Sequence, residues 1–401
     1  MINLLRYSIF LVCLAFLLSS CNQDPSTSGY NLIPNKDLLN FKQFDSYTQG
    51  IGQKTSFYTQ KVLTGSADRV LLGRNSYSEA DLLYFFNPYI PDSIKTYINS
   101  GQANVIRAWM TMPTIYYSGN KSLPFSFSAY QIRSPWNVIG FDRDSLLNTG
   151  YFTYDNTNVV NSISIVDTVI SFNIQNSVIT QWIKWISDST SAPKNYGLLF
   201  KPTPSTNRYI GFRATNGGTA DQDVPYLHFI LAKPHNLTDT IDVQPYMDAH
   251  VMIGSFPAAT SDIVLEGSYA VRGYLYFDLS SLPSNSIITK ATLALSPDTL
   301  NSVNSTPLQD TILVTMLADS VKKSLTVDSS TTTTLVKSNG VFTGNITWMV
   351  QKWINKSIAN EGVMLNLWDE LATSVKLQFF GSSNKNKALR PRLNLVYMQR
   401  N

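Results

Sequence analysis

Few side chains in this sequence could do chemistry, and their spacing is not that of a known catalytic or metal site. Three histidines occur, His228, His235 and His250, and none stands in a metal-ligating spacing such as His-x-x-Glu-His. There is no Gly-x-Ser-x-Gly elbow and no phosphate-binding loop. Acyl transfer and nucleotide chemistry are therefore not expected. His228 alternates with apolar neighbours, so we predict that it lies on the outer face of a strand.

Carboxylates are the remaining group that could serve catalysis, because glycoside hydrolysis needs only two of them roughly 5 to 10 Å apart. Most stand in polar, turn-like contexts, where a solvated loop is the plain explanation; they are Glu79, Asp81, Asp221, Asp223, Asp369 and Glu370. Asp221 and Asp223 can also offer oxygens to calcium, although no EF-hand pattern surrounds them. We therefore expect a chain that is not an enzyme and that holds no cofactor.

Exposed aromatic rings are a better lead, since sugar rings have apolar faces on which Trp and Tyr can stack. Four aromatic residues next to turn-forming residues are the candidate carbohydrate-binding residues, namely Tyr116, Tyr117, Trp136 and Trp368. Packing in the core is favoured over binding for Trp136, and the two roles weigh equally for Trp368. Trp185 and Trp353 fall on the apolar face of a helix, so we expect both in the core.

The N-terminus has the pattern of a secretion signal. Arg6 precedes an apolar run over residues 9–18, which is half the length that a helix needs to span a bilayer. The run ends in Leu18-Ser19-Ser20-Cys21, which resembles the bacterial lipobox, whose cysteine accepts a diacylglyceryl group. We expect residues 1–20 to be removed as a lipoprotein signal peptide. Cys21 would then carry lipid, and the polar residues 21–40 would form a tether.

Cysteine usage and charge limit the compartment and the partners. The other cysteine, Cys13, lies in the leader, so the folded part has no thiol for disulfides, metal ligation or catalysis. The expected location is the bacterial outer membrane, lipid-anchored, on the cell surface or on the periplasmic face. The formal net charge is +4 with no basic stripe, so nucleic acid is not expected as a partner.

Length and internal repetition favour two folded domains. The chain has 401 residues, 43% of them hydrophobic, and the same order of features occurs at about residues 62–231 and again at about 263–397. Each copy has strand-like alternation and one helix, with Trp185 aligned to Trp353. We predict an all-β protein with two tandem antiparallel β-sandwich domains, jelly-roll-like, each with one short helix. Their predicted bounds are 41–233 and 234–401, with a polar linker over residues 233–239.

The second copy resembles the DNRLRE family, the disaggregatase-related repeat that overlaps carbohydrate-binding module family 96. Arg272-Gly-Tyr-Leu-Tyr276-Phe277-Asp278-Leu279 is similar to that family's strand in which an Arg is followed by Phe-Asp-Leu. Lys290-Ala291-Thr292-Leu293 is similar to its Ala-x-Leu strand, whereas the first copy has Phe86-Asn87 where Phe-Asp stands in the family. The resemblance implies a jelly-roll-like sandwich and non-catalytic polysaccharide binding. Residues 29–39 also resemble the opening of uncharacterised Bacteroidetes surface lipoproteins.

The preferred function at this point is that of a lipid-anchored cell-envelope protein that binds polysaccharide or surface glycan without cleaving it. One alternative is a structural or assembly lipoprotein of the outer envelope that binds a protein partner through strand edges or faces. The other alternative is a glycan-degrading enzyme.

Replacing Cys21 tests the expected anchor. Cys21→Ser should move the protein from the membrane fraction to the soluble fraction, because acyl chains contribute about 0.8 kcal/mol per buried CH₂ and none can then be attached. Cell fractionation and immunoblotting measure the shift. Cys13→Ser is the matched control and should leave the protein in the membrane fraction. A Cys21→Ser protein that stays with the membrane would contradict lipid anchoring.

Overall fold

The structure, a computed structural model, describes residues 40–215, 223–255, 260–325 and 331–399. The expected signal peptide, Cys21, the tether up to residue 39, and Asp221 lie outside these residues. Strands form most of the described secondary structure, which confirms the all-β class. None of the helices in this part of the chain is long and apolar enough to cross a membrane.

The described elements are twenty-four strands, five short α-helices and three short 3₁₀ segments. The strands up to residue 254 are β1 (Asn40–Asp45), β2 (Gln53–Thr59), β3 (Arg69–Arg74), β4 (Ser78–Phe86), β5 (Asn104–Ser118), β6 (Phe127–Gln131), β7 (Val160–Val166), β8 (Val169–Ile174), β9 (Leu198–Pro202), β10 (Tyr209–Arg213), β11 (Tyr226–Lys233), β12 (Leu237–Val243) and β13 (Pro245–Gly254). The later strands are β14 (Ile263–Glu266), β15 (Val271–Phe277), β16 (Ile287–Leu295), β17 (Ser305–Thr306), β18 (Thr311–Asp319), β19 (Ser324–Leu325), β20 (Thr332–Ser338), β21 (Val341–Asn345), β22 (Val363–Leu367), β23 (Lys376–Phe379) and β24 (Arg392–Gln399). The helices are α1 (Ser46–Gln49), α2 (Asp92–Asn99), α3 (Arg143–Leu147), α4 (Asn176–Ser187) and α5 (Thr347–Ile354).

These elements form two modules with the same strand pairing, each around its own hydrophobic core. In module 1, β5 pairs with β8 and β11, and β4 pairs with β9 and β13. In module 2, β16 pairs with β21 and β24, and β15 pairs with β22 and β2. All of these pairs are antiparallel, so the internal repeat expected from the sequence is present in the topology.

An Asn-x-Gly turn occurs at the same place in both modules. The Asn195 amide donates to the carbonyl of Phe86, the last residue of β4, and the Asn360 amide donates to the carbonyl of Phe277, the last residue of β15. Gly197 and Gly362, which follow, have φ of 92° and 81°, a region that favours glycine. A Cβ on Gly197 would also meet the Tyr84 carbonyl oxygen at 2.1 Å. The turn therefore fixes where β9 and β22 begin.

The modules exchange strand pairs, and this differs from the expected boundaries at residues 41–233 and 234–401. Strands β1 and β2 precede module 1 in the chain, yet they pair with β24 and β15 of module 2. Strands β12 and β13 precede module 2, yet they pair with β11 and β4 of module 1. Module 1 thus comprises β3 to β13, and module 2 comprises β1, β2 and β14 to β24. Alternating hydrophobicity locates a strand but does not identify its partner, which explains the difference.

The segment expected as a linker, residues 233–239, is instead the tight connection of the β11–β12 hairpin. His235 and Asn236 have φ of 64° and 59° there, so the chain reverses direction within a few residues. Strand β12 then pairs with β11 along its whole length, from Leu237 opposite Lys233 to Val243 opposite Leu227. Polar, proline-containing sequence is typical of turns as well as of linkers.

The helices also differ from the expectation of one per copy, because module 1 has α2 and α3 in addition to α4, and module 2 has α1 in addition to α5. The equivalent helices are α4 and α5, each of which follows a strand after one residue. Counting from those strand ends, Trp182 corresponds to Trp353, and both are buried. Trp185, expected in the core as the equivalent of Trp353, is only half-buried, with the Lys194 ammonium 5.6 Å from its ring centre.

Packed side chains and hydrogen bonds join the two modules, and we call this contact region the seam. Its apolar part combines Leu71, Ala80, Tyr116, Tyr209 and Met252 of module 1 with Val264, Tyr269 and Val271 of module 2. Arg69 donates through Nε to the carbonyl of Ala372 at 2.7 Å and pairs with Asp369. Strand β17 pairs with the end of β5. The seam therefore has the dense contacts of a domain interior rather than those of a flexible linker.

Truncating a buried side chain of β1 tests the exchange. Phe44, 3% exposed, belongs to the core of module 2, so Phe44→Ala should cost about 3 to 5 kcal/mol and reduce amide protection in β16 and β24. Hydrogen exchange resolved by residue measures this. Ile241→Ala in β12, which packs on the core of module 1, is the matched control and should act on β5 and β11. Loss of protection in module 1 caused by Phe44→Ala would contradict the assignment.

Candidate functional site

An open sheet face of module 1 holds the candidate site. The strand order of this sheet is β12-β11-β5-β8-β7. Alternate residues of a strand point to opposite faces, so Leu227, Phe229 and Leu231 of β11 enter the core while Tyr226, His228 and Ile230 lie on the outer face. The outer face is where this module can meet a ligand without disturbing its core.

Four side chains form a continuous row across this face, which we call the aromatic row: Arg107, Trp109, His228 and Tyr226. Trp109 lies directly opposite His228 in the β5–β11 register, with ring centres 5.0 Å apart and planes 17° apart. Tyr226 stacks on His228 at 5.8 Å and 24°. The Arg107 guanidinium lies 4.5 Å from the centre of the Trp109 ring. Each stacked pair stabilises the structure by about 0.5 to 1.5 kcal/mol in addition to the effect of burying its surface. The four side chains therefore hold one another in place.

Polar neighbours hold the row in position. His228 Nδ1 lies 2.6 Å from Asp242 Oδ1, and its Nε2 lies 2.9 Å from the Thr111 hydroxyl. Because an ionised carboxylate only accepts, Nδ1 carries the proton in the neutral ring and Nε2 accepts from Thr111. Gln244 donates from Nε2 to the Tyr226 hydroxyl at 2.6 Å. Both nitrogens of the central ring are thus used, and the ring cannot rotate without losing a hydrogen bond.

The row suits a flat, hydroxyl-rich ligand. The ring faces between neighbours are covered by the stacking, so the row presents ring edges and the exposed Arg107 to solvent. Asn173 lies opposite Trp109, and Ser171 lies opposite Thr111, on the next strand of the same face. Amide and hydroxyl groups therefore flank apolar ring edges, which is the combination that meets both the hydroxyls and the C–H groups of a sugar chain.

Module 2 lacks the aromatic residues of this row. The strand pairing makes Thr292 and Asn394 the equivalents of Trp109 and His228, since each pair lies opposite across equivalent strands. Lys290 and Arg392 stand where module 1 has Arg107 and Tyr226. The sequence pattern could have placed Trp109 on the outer face of a strand, but only the pairing with β11 shows what stacks on it.

Two of the expected carbohydrate-binding residues are buried. Trp136 is 7% exposed, packs against Phe141 and donates from Nε1 to the carbonyl of Tyr196 at 2.8 Å. Tyr116 lies in the seam, where its hydroxyl accepts from the backbone N–H of Ser374 at 2.9 Å. Neither ring offers an open face in this structure. The sequence favours packing for Trp136, whereas nothing in the sequence around Tyr116 indicates that a second module covers it.

The other two expected residues are more accessible. Tyr117 is half-buried, with the Lys121 ammonium 4.0 Å from its ring centre. Hydrogen bonding with Thr306 and Lys121 lowers the pKa of the Tyr117 hydroxyl. Trp368 is 62% exposed and stands beside Asp369, which pairs with Arg69 at the seam. Stacking by these two residues stays a prediction, and neither belongs to the aromatic row.

The candidate carboxylates that are described each pair with a cation. Glu370 binds Arg272 at 2.7 Å, and the pairs of the others are Glu79 with Arg74, Asp81 with Lys201, Asp223 with Arg213 and Asp369 with Arg69. Burial raises the pKa of Asp81 to about 6, although Lys201 opposes the shift. These pairs are typical of structural ion pairs. In the described part of the chain, no group of three His, Cys, Asp or Glu side chains is arranged to hold a metal ion.

A serine and a histidine also meet in the seam, near a cavity of about 200 Å³. His250 is fully buried, and burial lowers its pKa to about 3, so the ring is neutral. Its Nε2 lies 2.8 Å from the Ser268 hydroxyl, which donates to the carbonyl of Thr373 at 2.9 Å. Because that serine proton is used, Nε2 donates rather than accepts, and His250 cannot act as a base toward Ser268. The pair therefore has a structural role, linking the two modules through hydrogen bonds.

Two tryptophan variants separate packing from exposure. Trp136→Ala should cost about 3 to 5 kcal/mol of unfolding free energy, because a buried ring and its hydrogen bond are lost. Trp368→Ala should change that free energy by less than about 0.5 kcal/mol, because its ring is mostly in water. Urea unfolding followed by circular dichroism measures both. Equal costs for the two variants would refute these positions.

Comparisons with known proteins give no information about the function of this chain. No family model matches the chain, and no curated protein matches it. Among solved structures it is similar to BcpA, the major pilin subunit of Bacillus cereus, at 10% sequence identity and a TM-score of 0.17, over 69% of this chain and 54% of the pilin chain. A variant of that pilin matches with the same identity and TM-score, over 73% and 55%. The chain thus spans about half the length of these pilin chains, and a likeness this distant does not bear on function.

Proposed function

We propose that this chain is a lipid-anchored cell-envelope protein that binds polysaccharide or surface glycan without cleaving it, and that the aromatic row of module 1 is the binding surface. The observation that carries the proposal is the difference between two equivalent sheet faces. Module 1 has Trp109 and His228 where module 2 has Thr292 and Asn394. Because both modules fold on the same pairing, the aromatic pair is not required by the fold.

The side chains of the aromatic row are preorganised for binding. Each ring is stacked, and His228 is hydrogen-bonded on both sides. A surface whose side chains are already ordered loses little conformational entropy on binding, and this favours affinity. An open sheet face also suits a long polymer, which can lie across β11, β5 and β8 without entering a closed pocket.

The proposed location follows from the lipid on Cys21, which would tether the protein to the outer membrane on the cell surface or the periplasmic face. The proposed activity needs no cofactor and no calcium ion. Asp223, one of the two residues considered for calcium, pairs with Arg213 at 3.4 Å.

A specific observation favours a second candidate, a structural or assembly role through a protein partner. Strands β7 and β12 end the open sheet of module 1, and among the strands that the structure describes each pairs on one side only. Such edges have unpaired backbone N–H and C=O groups, to which a strand of another protein can add.

A glycan array tests the proposal on the mature chain, residues 21–401, carrying Cys21→Ser. Trp109→Ala should weaken binding by about tenfold or more, because the ring edge that meets the ligand is lost together with the contact that orders His228. Tyr226→Ala, at the end of the row, should also weaken it. Thr292→Ala, at the equivalent position of module 2, is the matched control and should leave binding unchanged.

Each outcome decides between the candidates. Thermal unfolding first establishes that the variants are folded. Glycan binding that survives both Trp109→Ala and Tyr226→Ala would remove the row as the site. If no glycan binds and an envelope protein is retained through β7 or β12, the structural role replaces the proposal.

A further inference from the structure

A second surface distinguishes the two modules, and it lies at the end of the open sheet of module 2. Phe41 of β1, Met398 of β24 and Ile287 of β16 lie opposite one another across three strands. Opposed residues share a face of the sheet, and we call this group the apolar corner. Phe44 and Leu395, further along β1 and β24, belong to the core, so the corner lies on the other face.

The corner exposes apolar surface that the fold does not require. Phe41 is 66% exposed and Ile287 is 44% exposed. The equivalent positions of module 1, given by the same strand pairing, are Thr238, Ala232 and Asn104. The same sheet thus folds with small or polar residues at these three places. A cluster of exposed apolar side chains at one end of a face marks a contact surface.

The charge around the corner is positive. Lys290 is exposed on the same face of β16 as the corner, whereas Lys42 lies on the face of β1 that carries Phe44 and donates to the side chain of Gln399 at 2.7 Å. Asp45 is the single carboxylate on β1, β16 and β24, whose residues are all among those described, and it pairs with Arg392. Among the described residues Lys290 has no carboxylate partner, so an exposed cation lies beside the apolar cluster. A cation beside apolar side chains can meet an anionic lipid headgroup while those side chains enter the interface.

The corner also lies where the N-terminal part of the chain joins the fold. Strand β1 begins at Asn40, and 39 residues precede it. Cys21, the expected lipid attachment, is 19 residues before Asn40, a distance that an extended chain can stretch to about 65 Å. A tether of that length holds the modules near a membrane but does not orient them. A contact beside residue 40 would orient them.

We propose that the apolar corner docks on the surface of an anionic phospholipid bilayer. Phe41, Ile287 and Met398 would enter the interfacial region, while Lys290 meets a lipid phosphate group. The proposal rests on the membrane location proposed above and not on glycan binding. Docking through module 2 would leave the aromatic row, which is on module 1, available to a ligand.

Vesicle binding of the mature chain carrying Cys21→Ser tests the docking without the lipid anchor. Co-sedimentation with phosphatidylglycerol–phosphatidylcholine vesicles should exceed that with phosphatidylcholine alone. Phe41→Ser should lower the partition coefficient about tenfold, because the burial of one aromatic side chain is lost. Lys290→Gln should lower binding only to the anionic vesicles. Leu237→Ser is the matched control, since Leu237 is 57% exposed on module 1, and it should have no effect.

A fluorescent label gives a second readout that does not depend on affinity. The mature chain with Cys21→Ser has no other cysteine, so Phe41→Cys offers a single thiol for an environment-sensitive dye. Its emission should shift to the blue when anionic vesicles are added, and the emission from Leu237→Cys should not.

Three results would overturn the proposal: no vesicle binding by the chain without corner substitutions, binding that Phe41→Ser leaves unchanged, or a dimer in solution that Phe41→Ser dissociates. The last result would identify a second copy of the chain as the occupant. A chain that binds vesicles but no glycan would leave this proposal standing while the proposed glycan binding fails.

Discussion

Backbone hydrogen bonding between module 2 and a strand pair from the start of the chain is the constraint on which the structure depends. A sandwich sheet leaves backbone N–H and C=O groups at its edges, and those groups need partners. Module 2 obtains them from β1 and β2, and module 1 obtains them from β12 and β13. The pair β12 and β13 follows β11 directly, whereas β1 and β2 are separated from β14 by the whole of module 1, so module 2 is not complete without the N-terminal strands. The packed seam follows from that arrangement, because the connections at both ends draw the modules together.

Comparing the two modules separates features that serve folding from features that serve function, because the modules share a fold but differ on their outer faces. The Asn-x-Gly turns, the core helices α4 and α5 and the strand pairing are shared, so these features serve folding. What differs lies outside the cores. Module 1 has stacked rings on its open sheet and a long segment between β6 and β7 whose aromatic residues cover part of its other sheet. Module 2 has exposed apolar residues at the end of the strand that the N-terminal segment enters.

The sequence was sufficient for features that depend on local periodicity. Strand alternation, the helix with a buried tryptophan and the repeat of their order predicted the class and the duplication correctly. It was not sufficient where the answer depends on which strands meet. The expected equivalence of Trp185 with Trp353 failed by three positions, because both Trp182 and Trp185 fit an apolar helical stripe. The aromatic row was missed because Trp109 and His228 are far apart in sequence and adjacent only across β5 and β11.

The exchanged strands have a mechanical consequence for a protein held at its N-terminus. A pull on residue 40 acts on β1, whose six residues are all paired with β24 of module 2. Any load between an anchor and a ligand on module 1 would therefore enter through rows of backbone hydrogen bonds in module 2 and cross the seam, instead of passing first into module 1. Rows of hydrogen bonds loaded along the strand share the force. The first strand after the N-terminal segment thus belongs to the module whose other strands come last in the sequence.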